Sequence, residues 1–360
     1  MLDLGFRISY YTLKVLFIVF IPQEKTLAEI EATLTLYFLE DMIVMKSYLV
    51  TGGAGFIGAH IVEELIQDGE SVKVIDNFTS GRRENLEPFS KEIELIDADI
   101  RHMPSVRRAV SGVDYVIHVA AQKSVPRSIE DPVGSNDNNI NGTLNILLAS
   151  RDAGVKRVVF ASSSSVYGNQ EVFPQSEKLL PCPISPYAAS KLAGEYYCSV
   201  FYEAYGLETV SLRYFNVFGP RQDPKSQYAN VIPIFITAAL EDRTAEVHGD
   251  GLQSRDFTYI SDTVNATLLA VKEPKAAGEV FNVAYGETYS ILELVKEISL
   301  LAGRPLKYCH TDPRKGDPRI ALADTGKAKN ILGYRVDVGF HMGLRKTWEW
   351  FKKSYSVARV

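Results

Sequence analysis

Tyr187 and Lys191 stand four residues apart in Ser185-Pro-Tyr-Ala-Ala-Ser-Lys191, a run that opens a predicted helix with Pro186 in its first turn. That spacing puts both side chains on one helical face. An ammonium beside a phenol favours the phenolate and lowers the tyrosine from its ordinary value of about 10 toward neutrality. Tyr187 is therefore a candidate general base for a hydroxyl proton. Ser163 belongs to a serine cluster just past the apolar run Val158-Val-Phe-Ala161 and can hold the same hydroxyl in line. A Tyr-x-x-x-Lys pair alone also occurs as plain helix surface, so the segments upstream decide its meaning.

Those segments are regular. Tyr48-Leu-Val-Thr51 reads as a strand, Gly52-Gly-Ala-Gly55-Phe-Ile-Gly58 as a turn into an amphipathic helix, and Ser71-Val-Lys-Val-Ile-Asp76 as a second strand ending in an acid. Gly52 permits the tight turn, Gly55 lets backbone approach a pyrophosphate, and Gly58 lets helix and sheet pack closely. The helix N-terminus offers free N–H groups and partial positive charge to phosphates. Asp76 is placed to accept both ribose hydroxyls of an adenosine and to repel a 2′-phosphate, which favours NAD over NADP.

Further alternation follows, with strands expected at 93–97, 115–118, 157–161 and 208–213 and long helices at 133–153 and 186–205. The pattern predicts an α/β fold: a Rossmann-type doubly wound parallel sheet with a smaller, interleaved C-terminal substrate lobe. Residues 45–216 plus 257–284 are assigned to the NAD-binding domain, with a helix at 258–271 and a strand at 280–283 returning to it, and 217–256 plus 285–324 to the substrate lobe. Residues 325–360 form a tail packing on that lobe. Strand ends set Asp99-Ile100, Ala120-Ala121 and Ser163 along the carboxyl edge, where such sheets bind ligands. His118 ends an apolar strand and reads as a hydrogen-bonded core histidine, not a catalyst.

Composition bounds the rest. The 360 residues are 46% hydrophobic and 23% charged, with a formal net charge of −5. That excludes a disordered chain or repeat array and gives no basic face for nucleic acid. Three cysteines without CxxC spacing and six scattered histidines indicate neither a disulfide framework nor a metal site. The chain reads as a reduced, metal-free, cytoplasmic enzyme. Residues 8–22 are apolar but interrupted by Lys14 and shorter than the ~20 residues of a membrane helix. Met45 is the expected functional start, with residues 1–44 a dispensable or misassigned leader and no membrane partner.

TGGAGFIG, DNF, ADIR, HVAAQKSVPRS, DNNINGT, SSSSVYG, SPYAASK, LRYFNVFGPRQDP, SRDFTYI and RKGDPRIALAD occur in that order. Together they resemble the extended short-chain dehydrogenase/reductase family, over about residues 46–334, and within it the bacterial UDP-N-acetylglucosamine 4-epimerases. The resemblance implies Ser163, Tyr187 and Lys191 as catalytic residues. It implies Gly52, Gly55, Phe56, Ile57, Gly58, Asp76, Asn77, Asp99 and Ile100 around the adenosine and pyrophosphate. Ala120, Asn138, Tyr187, Lys191 and Tyr214 fall near the nicotinamide. Ser124, Ser163, Asn216, Asn230, Val231, Arg255, Arg314, Asp317 and Ala321 are implied on the UDP-sugar. Guanidinium forks suit a diphosphate. Ala321 resembles the gate beside the sugar's carbon 2, small where N-acetyl sugars are accepted. Lys123 resembles a lysine of glucose-type relatives that reaches the nicotinamide ribose. A homodimer through the two long helices is implied as well.

Several reactions fit this frame: epimerisation at carbon 4 of UDP-N-acetylglucosamine, glucose or glucuronate; sugar-nucleotide dehydration; and uronate decarboxylation. A non-catalytic NAD-binding scaffold or sensor is the reading from another class. Related dehydratases carry an Asp-Glu pair after the catalytic hydroxyl residue, and a decarboxylase is expected to carry glutamate at position 165. This chain has Ser164 and Ser165 there. Intact Ser163, Tyr187 and Lys191 argue against a scaffold. The sequence therefore leads to an NAD-dependent UDP-hexose 4-epimerase.

Overall fold

A parallel seven-stranded sheet organises the molecule, in the order β3-β2-β1-β4-β5-β6-β9. The computed structural model describes residues 45–224, 230–313 and 318–357. The expected leader, Arg314 and Asp317 lie outside the described residues. The strands are β1 (Ser47–Thr51), β2 (Ser71–Asp76), β3 (Ile93–Asp97), β4 (Tyr115–His118), β5 (Arg157–Ser163), β6 (Glu208–Tyr214) and β9 (Val280–Val283). Their named pairings are all parallel. Successive side chains point to opposite faces, and β1 shows the result. Tyr48 and Val50 enter one core with Val74, Ile117 and Val159, while Leu49 enters the other with Ile75, Val116 and Val158. Both faces are covered, which is why these strands read as continuous apolar runs.

The connecting helices are α1 (Phe56–Gln67), α2 (Met103–Val110), α3 (Gly142–Ala153), α4 (Pro186–Tyr205), α5 (Val231–Leu240) and α6 (Ile260–Lys272). Helix α1 buries Gly58, Ala59, Ile61, Val62 and Leu65, the stripe a 3.6-residue period requires. Helix α4 starts where the Ser185 side chain accepts from the Ala188 N–H at 3.2 Å and ends at Gly206, whose φ of 71° is left-handed.

Beyond α5 the strands shorten. Strands β7 (Ala245–His248) and β11 (Tyr308–Thr311) pair in parallel. A three-stranded sheet joins β10 (Tyr289–Ser290), β8 (Ser254–Arg255) and β12 (Ile320–Ala321). Helices α7 (Ile291–Ala302), α8 (Gly326–Leu332) and α9 (Phe340–Val357) complete the described chain. Helix α9 buries Phe340, Leu344, Trp348 and Phe351 in the larger core.

Two expectations need correction. The long helix expected over 133–153 is a short helix, Pro132–Asn136, then a π-helical turn, Asp137–Asn141, then α3. The turn is held by Thr143 Oγ1 donating to the Asn139 carbonyl at 2.6 Å, and extra residues inserted in this way gather at functional positions. The helix expected from Thr258 begins at Ile260 because the Phe218 carbonyl takes the Ile260 N–H, 2.9 Å away.

Candidate active site

The carboxyl ends of β1, β2, β4, β5 and β6 open into a cleft of about 680 Å³. At its adenosine end the strand–turn–helix takes the geometry its glycines require. Gly52 has φ +69°, and a Cβ there would stand 2.8 Å from the Ala120 Cα; a Cβ on Gly58 would stand 2.2 Å from the Gly52 carbonyl oxygen. The first turn of α1 has no side-chain cap and no acidic residue, so its N–H groups and partial positive charge are left for an anion. Asp76 is buried, accepts from the backbone N–H groups of Ala54 (3.0 Å) and Phe78 (2.8 Å), and is raised above the ordinary aspartate value by burial. Gly52, Gly55, Phe56, Ile57, Gly58, Asp76, Asn77 and Ile100 all line the cleft. A dinucleotide fits this end: an uncapped helix start for the pyrophosphate and a sequestered carboxylate for a ribose.

Asp99 is not on that wall. Its carboxylate accepts from Asn77 Nδ2 at 2.8 Å and from Arg101 Nε and Nη2, and these bonds with Arg101 hold it down to about 2. It positions Asn77, which does line the cleft.

At the reactive end, three consecutive residues of β5 are tied to α4. The Ala161 carbonyl accepts from Lys191 Nζ at 2.7 Å, Ser162 Oγ donates to Glu195 Oε1 at 2.5 Å, and the Ser163 side chain lies near enough to the Tyr187 phenol to favour its ionised form. Ser163 is the last residue of β5, and its Oγ accepts from the N–H (3.2 Å) and hydroxyl (2.9 Å) of Ser165. Glu195 is locked by a bidentate pair with Arg213, Nε–Oε1 2.9 Å and Nη2–Oε2 2.7 Å, both side chains being about 5% exposed. The sequence brings Ser163, Tyr187 and Lys191 together as expected. The expected lowering of Tyr187 by Lys191 is corrected: burial dominates and raises the phenol, and the group opposing burial is Ser163. Lys191 spends its ammonium on the Ala161 carbonyl and is itself brought down to about 8 by burial.

His118 is a core histidine, 1% exposed, with Nδ1 2.7 Å from Thr51 Oγ1 and Nε2 3.0 Å from Thr143 Oγ1. Burial pushes it down to about 3, so it stays neutral. Ala120, Asn138 and Tyr214 line the cleft, and the Tyr214 hydroxyl lies 2.8 Å from Thr267 Oγ1. The π-helical turn presents Asn138 to the cleft and lets Asn139 bridge Gln122 and Ser190.

The remaining wall carries Ser124, Asn216, Asn230, Val231, Arg255 and Ala321. Asn216 sits at φ +31°, a region asparagine tolerates better than most residues. Arg255 is buried on β8, with Nη1 donating to the Ser254 carbonyl at 2.7 Å, and its backbone register partner on β12 is Ala321. Sequence reasoning gave no role to Glu195 and Arg213, which brace the catalytic strand, or to Gln175, which lines the cleft. Glu195 carried a signal, standing four residues past Lys191 on the same face. Gln175, in an irregular loop, carried none. Among the described residues no group of three His, Cys, Asp or Glu side chains could hold a metal, and no helix is long and apolar enough to cross a membrane.

Comparison with known proteins agrees with this geometry. Residues 48–284 match the model of the NAD dependent epimerase/dehydratase family. The UDP-glucose 4-epimerase of Mycolicibacterium smegmatis is 39% identical over 313 residues, covering 84% of this chain and 98% of that one. The UDP-N-acetyl-alpha-D-glucosaminuronate decarboxylase of Bacillus cytotoxicus is 36% identical, covering 86% and 98%. The solved UDP-N-acetylglucosamine 4-epimerase of Methanobrevibacter ruminantium superposes with a TM-score of 0.82 at 40% identity, covering 87% and 100%.

Proposed function

The chain belongs to the NAD dependent epimerase/dehydratase family, and from its site we propose that it inverts carbon 4 of a UDP-hexose, converting UDP-N-acetylglucosamine to UDP-N-acetylgalactosamine. One observation carries the choice of reaction. Ser163, Tyr187 and Lys191 converge at the end of β5, while Ser164 and Ser165 line the cleft where elimination or decarboxylation chemistry would call for carboxylates. A hydroxyl donor–acceptor, a phenol and an ammonium suffice to take a proton from a sugar hydroxyl and return it.

Tyr187 is the base at the carbon-4 hydroxyl. Ser163, whose side chain favours the ionised phenol of Tyr187, holds that hydroxyl in line. Lys191 fixes the Ala161 carbonyl and keeps a cation in a buried pocket beside the base. The α1 turn, Asp76 and Asn77 would hold the adenosine half of NAD, and Ala120, Asn138, Lys191 and Tyr214 its nicotinamide half. When bound, the oxidised nicotinamide supplies the hydride acceptor and a fixed positive charge that favours phenolate. Arg255, with Arg314, Asp317, Asn216, Asn230, Val231 and Ser124, would grip the UDP moiety and its sugar. Inversion passes through a 4-keto sugar, so the site must accept one ring in two orientations while the uridine end stays fixed.

Ala321 supports the N-acetylated substrate, because its methyl group leaves space on the cleft wall that a larger side chain would take. Lys123 also lines the cleft and supports UDP-glucose as a second, poorer substrate. The exposed apolar residues Ile129, Val133, Tyr196 and Val200 support a homodimer through α4 and the helical run before α3. A cytoplasmic location, without membrane or nucleic-acid partner, completes the reading. Incubation of the purified protein with UDP-N-acetylglucosamine, UDP-glucose and UDP-glucuronate, followed by nucleotide chromatography, tests it. The 4-epimer of the N-acetylated sugar is the expected product. A decarboxylated or dehydrated product would replace the reading, and unchanged nucleotides throughout would leave the scaffold.

A further inference from the structure

Three glutamines line the cleft and leave a buried side-chain carbonyl oxygen without a protein partner: Gln122, Gln175 and Gln222. Buried polar groups in native proteins are nearly always satisfied, so each exception needs an explanation. Gln222 turns its amide nitrogen to the Val217 carbonyl at 3.1 Å and braces its own loop. Gln122 is half-buried as a residue, and its backbone is held at both ends by the Asn139 side chain. Gln175 is the most buried of the three, 2% exposed, and unlike Gln222 its amide makes no side-chain hydrogen bond at either end among the described residues.

The backbone fixes where that side chain goes. The Gln175 N–H donates to the Leu322 carbonyl at 2.7 Å, and its carbonyl accepts from the Asp324 N–H at 2.8 Å and from Asn282 Nδ2 at 2.9 Å. Residue 175 thus lies alongside the chain just past Ala321, and Gln175 and Ala321 both line the cleft there. A primary amide offers an acceptor and a donor together. An acetamido substituent can meet that amide through its N–H or through its C=O, one at a time, because its trans geometry points the two in opposite directions. The hydroxyl that stands there on an unsubstituted hexose is shorter and rotates freely, so it reaches less far and can turn to another partner.

We propose that Gln175 is a specificity-determining residue that hydrogen-bonds the acetamido group of the UDP-sugar, with Ala321 providing the space. This rests on the reading of the cleft as a UDP-hexose site. The three backbone bonds of residue 175 survive substitution, so the side chain can be tested alone.

The experiment compares wild type with Gln175→Leu and Gln175→Met on UDP-N-acetylglucosamine and UDP-glucose, measuring kcat, KM and, separately, dissociation constants by calorimetry. Retained bound NAD and melting temperature report the fold, and methionine, close to glutamine in length, serves if leucine packs badly. The expected result is a loss of about tenfold in kcat/KM on UDP-N-acetylglucosamine, carried by KM, with UDP-glucose changed by less than about twofold. Parallel losses on both nucleotides, or no loss on either, would overturn the assignment. If wild type turned over neither sugar, the epimerase reading would fall and the dissociation constants would judge Gln175 by themselves. A tenfold weakening confined to the acetylated nucleotide would then support the assignment, and unchanged binding would refute it.

Discussion

Replacing Ala321 by tyrosine asks whether the cleft wall selects the sugar by excluded volume. Ala321 is 5% exposed, lies on β12 in register with Arg255, and lines the cleft two residues before Ala323, the backbone partner of Gln175. Its pairing to β8 is a backbone matter, so a larger side chain leaves the register intact and must project toward the ligand or displace its neighbours. Forcing extra volume into a packed site costs about 1–3 kcal/mol, or roughly 10- to 200-fold in discrimination between two substrates. An acetamido group needs the space a phenol would occupy, and a hydroxyl needs much less. Ala321→Tyr should therefore lower kcat/KM for UDP-N-acetylglucosamine by about 10- to 200-fold relative to UDP-glucose. The assay is steady-state turnover of both nucleotides by chromatography, with bound NAD measured to confirm an intact cofactor site. Equal loss on both substrates would mean the tyrosine damages the site generally. Unchanged turnover of the acetylated sugar would show that Ala321 is not the gate.

Tyr187→Phe keeps the buried ring and removes the proton acceptor, so kcat should fall by at least about 10²-fold while UDP-sugar binding barely changes; near-normal turnover would assign the base elsewhere. Glu195→Leu leaves the buried Arg213 guanidinium uncompensated and should cost about 3–5 kcal/mol of stability, with kcat reduced because Ser162 loses its anchor one residue before Ser163. Adding Arg213→Met should restore most of that stability in chemical denaturation, and a double variant no better than the single one would deny the coupling. His118 is held down to about 3 in the folded protein against 6.5 unfolded, so acid is taken up by the unfolded chain first. Stability relative to a His118→Gln variant should therefore fall as pH drops from 7 to 5, by up to about 2 kcal/mol. A pH-independent difference, or an imidazole seen by NMR to titrate near 6.5, would contradict this.

The sheet was legible in the sequence because its strands are buried on both faces and its helices carry an apolar stripe, so periodicity changed from strand to helix at each boundary. The Tyr187–Lys191 pair was legible for the same local reason, a spacing of one helical turn. What the sequence did not carry is what distant segments do to one another. Lys191 Nζ donates to the Ala161 carbonyl, 30 residues away in the chain, and burial, not that ammonium, sets the direction in which the phenol moves. Glu195 meets Ser162 and Arg213 only once β5, β6 and α4 are packed. Asp99 matched its motif, yet Arg101, two residues on, claims its carboxylate and leaves Asn77 to face the cleft. Gln175 sits in a loop without periodicity, and its meaning comes entirely from the strand end it lies against.

The most direct test of the central claim follows the hydrogen on carbon 4. Purified protein, given UDP-N-acetylglucosamine carrying deuterium at carbon 4 and no added NAD, should convert it to the 4-epimer with the deuterium still on carbon 4. That outcome means the hydride leaves and returns within one closed site. Product with protium at that carbon, or turnover that depends on supplied NAD and releases the label into it, would contradict the account.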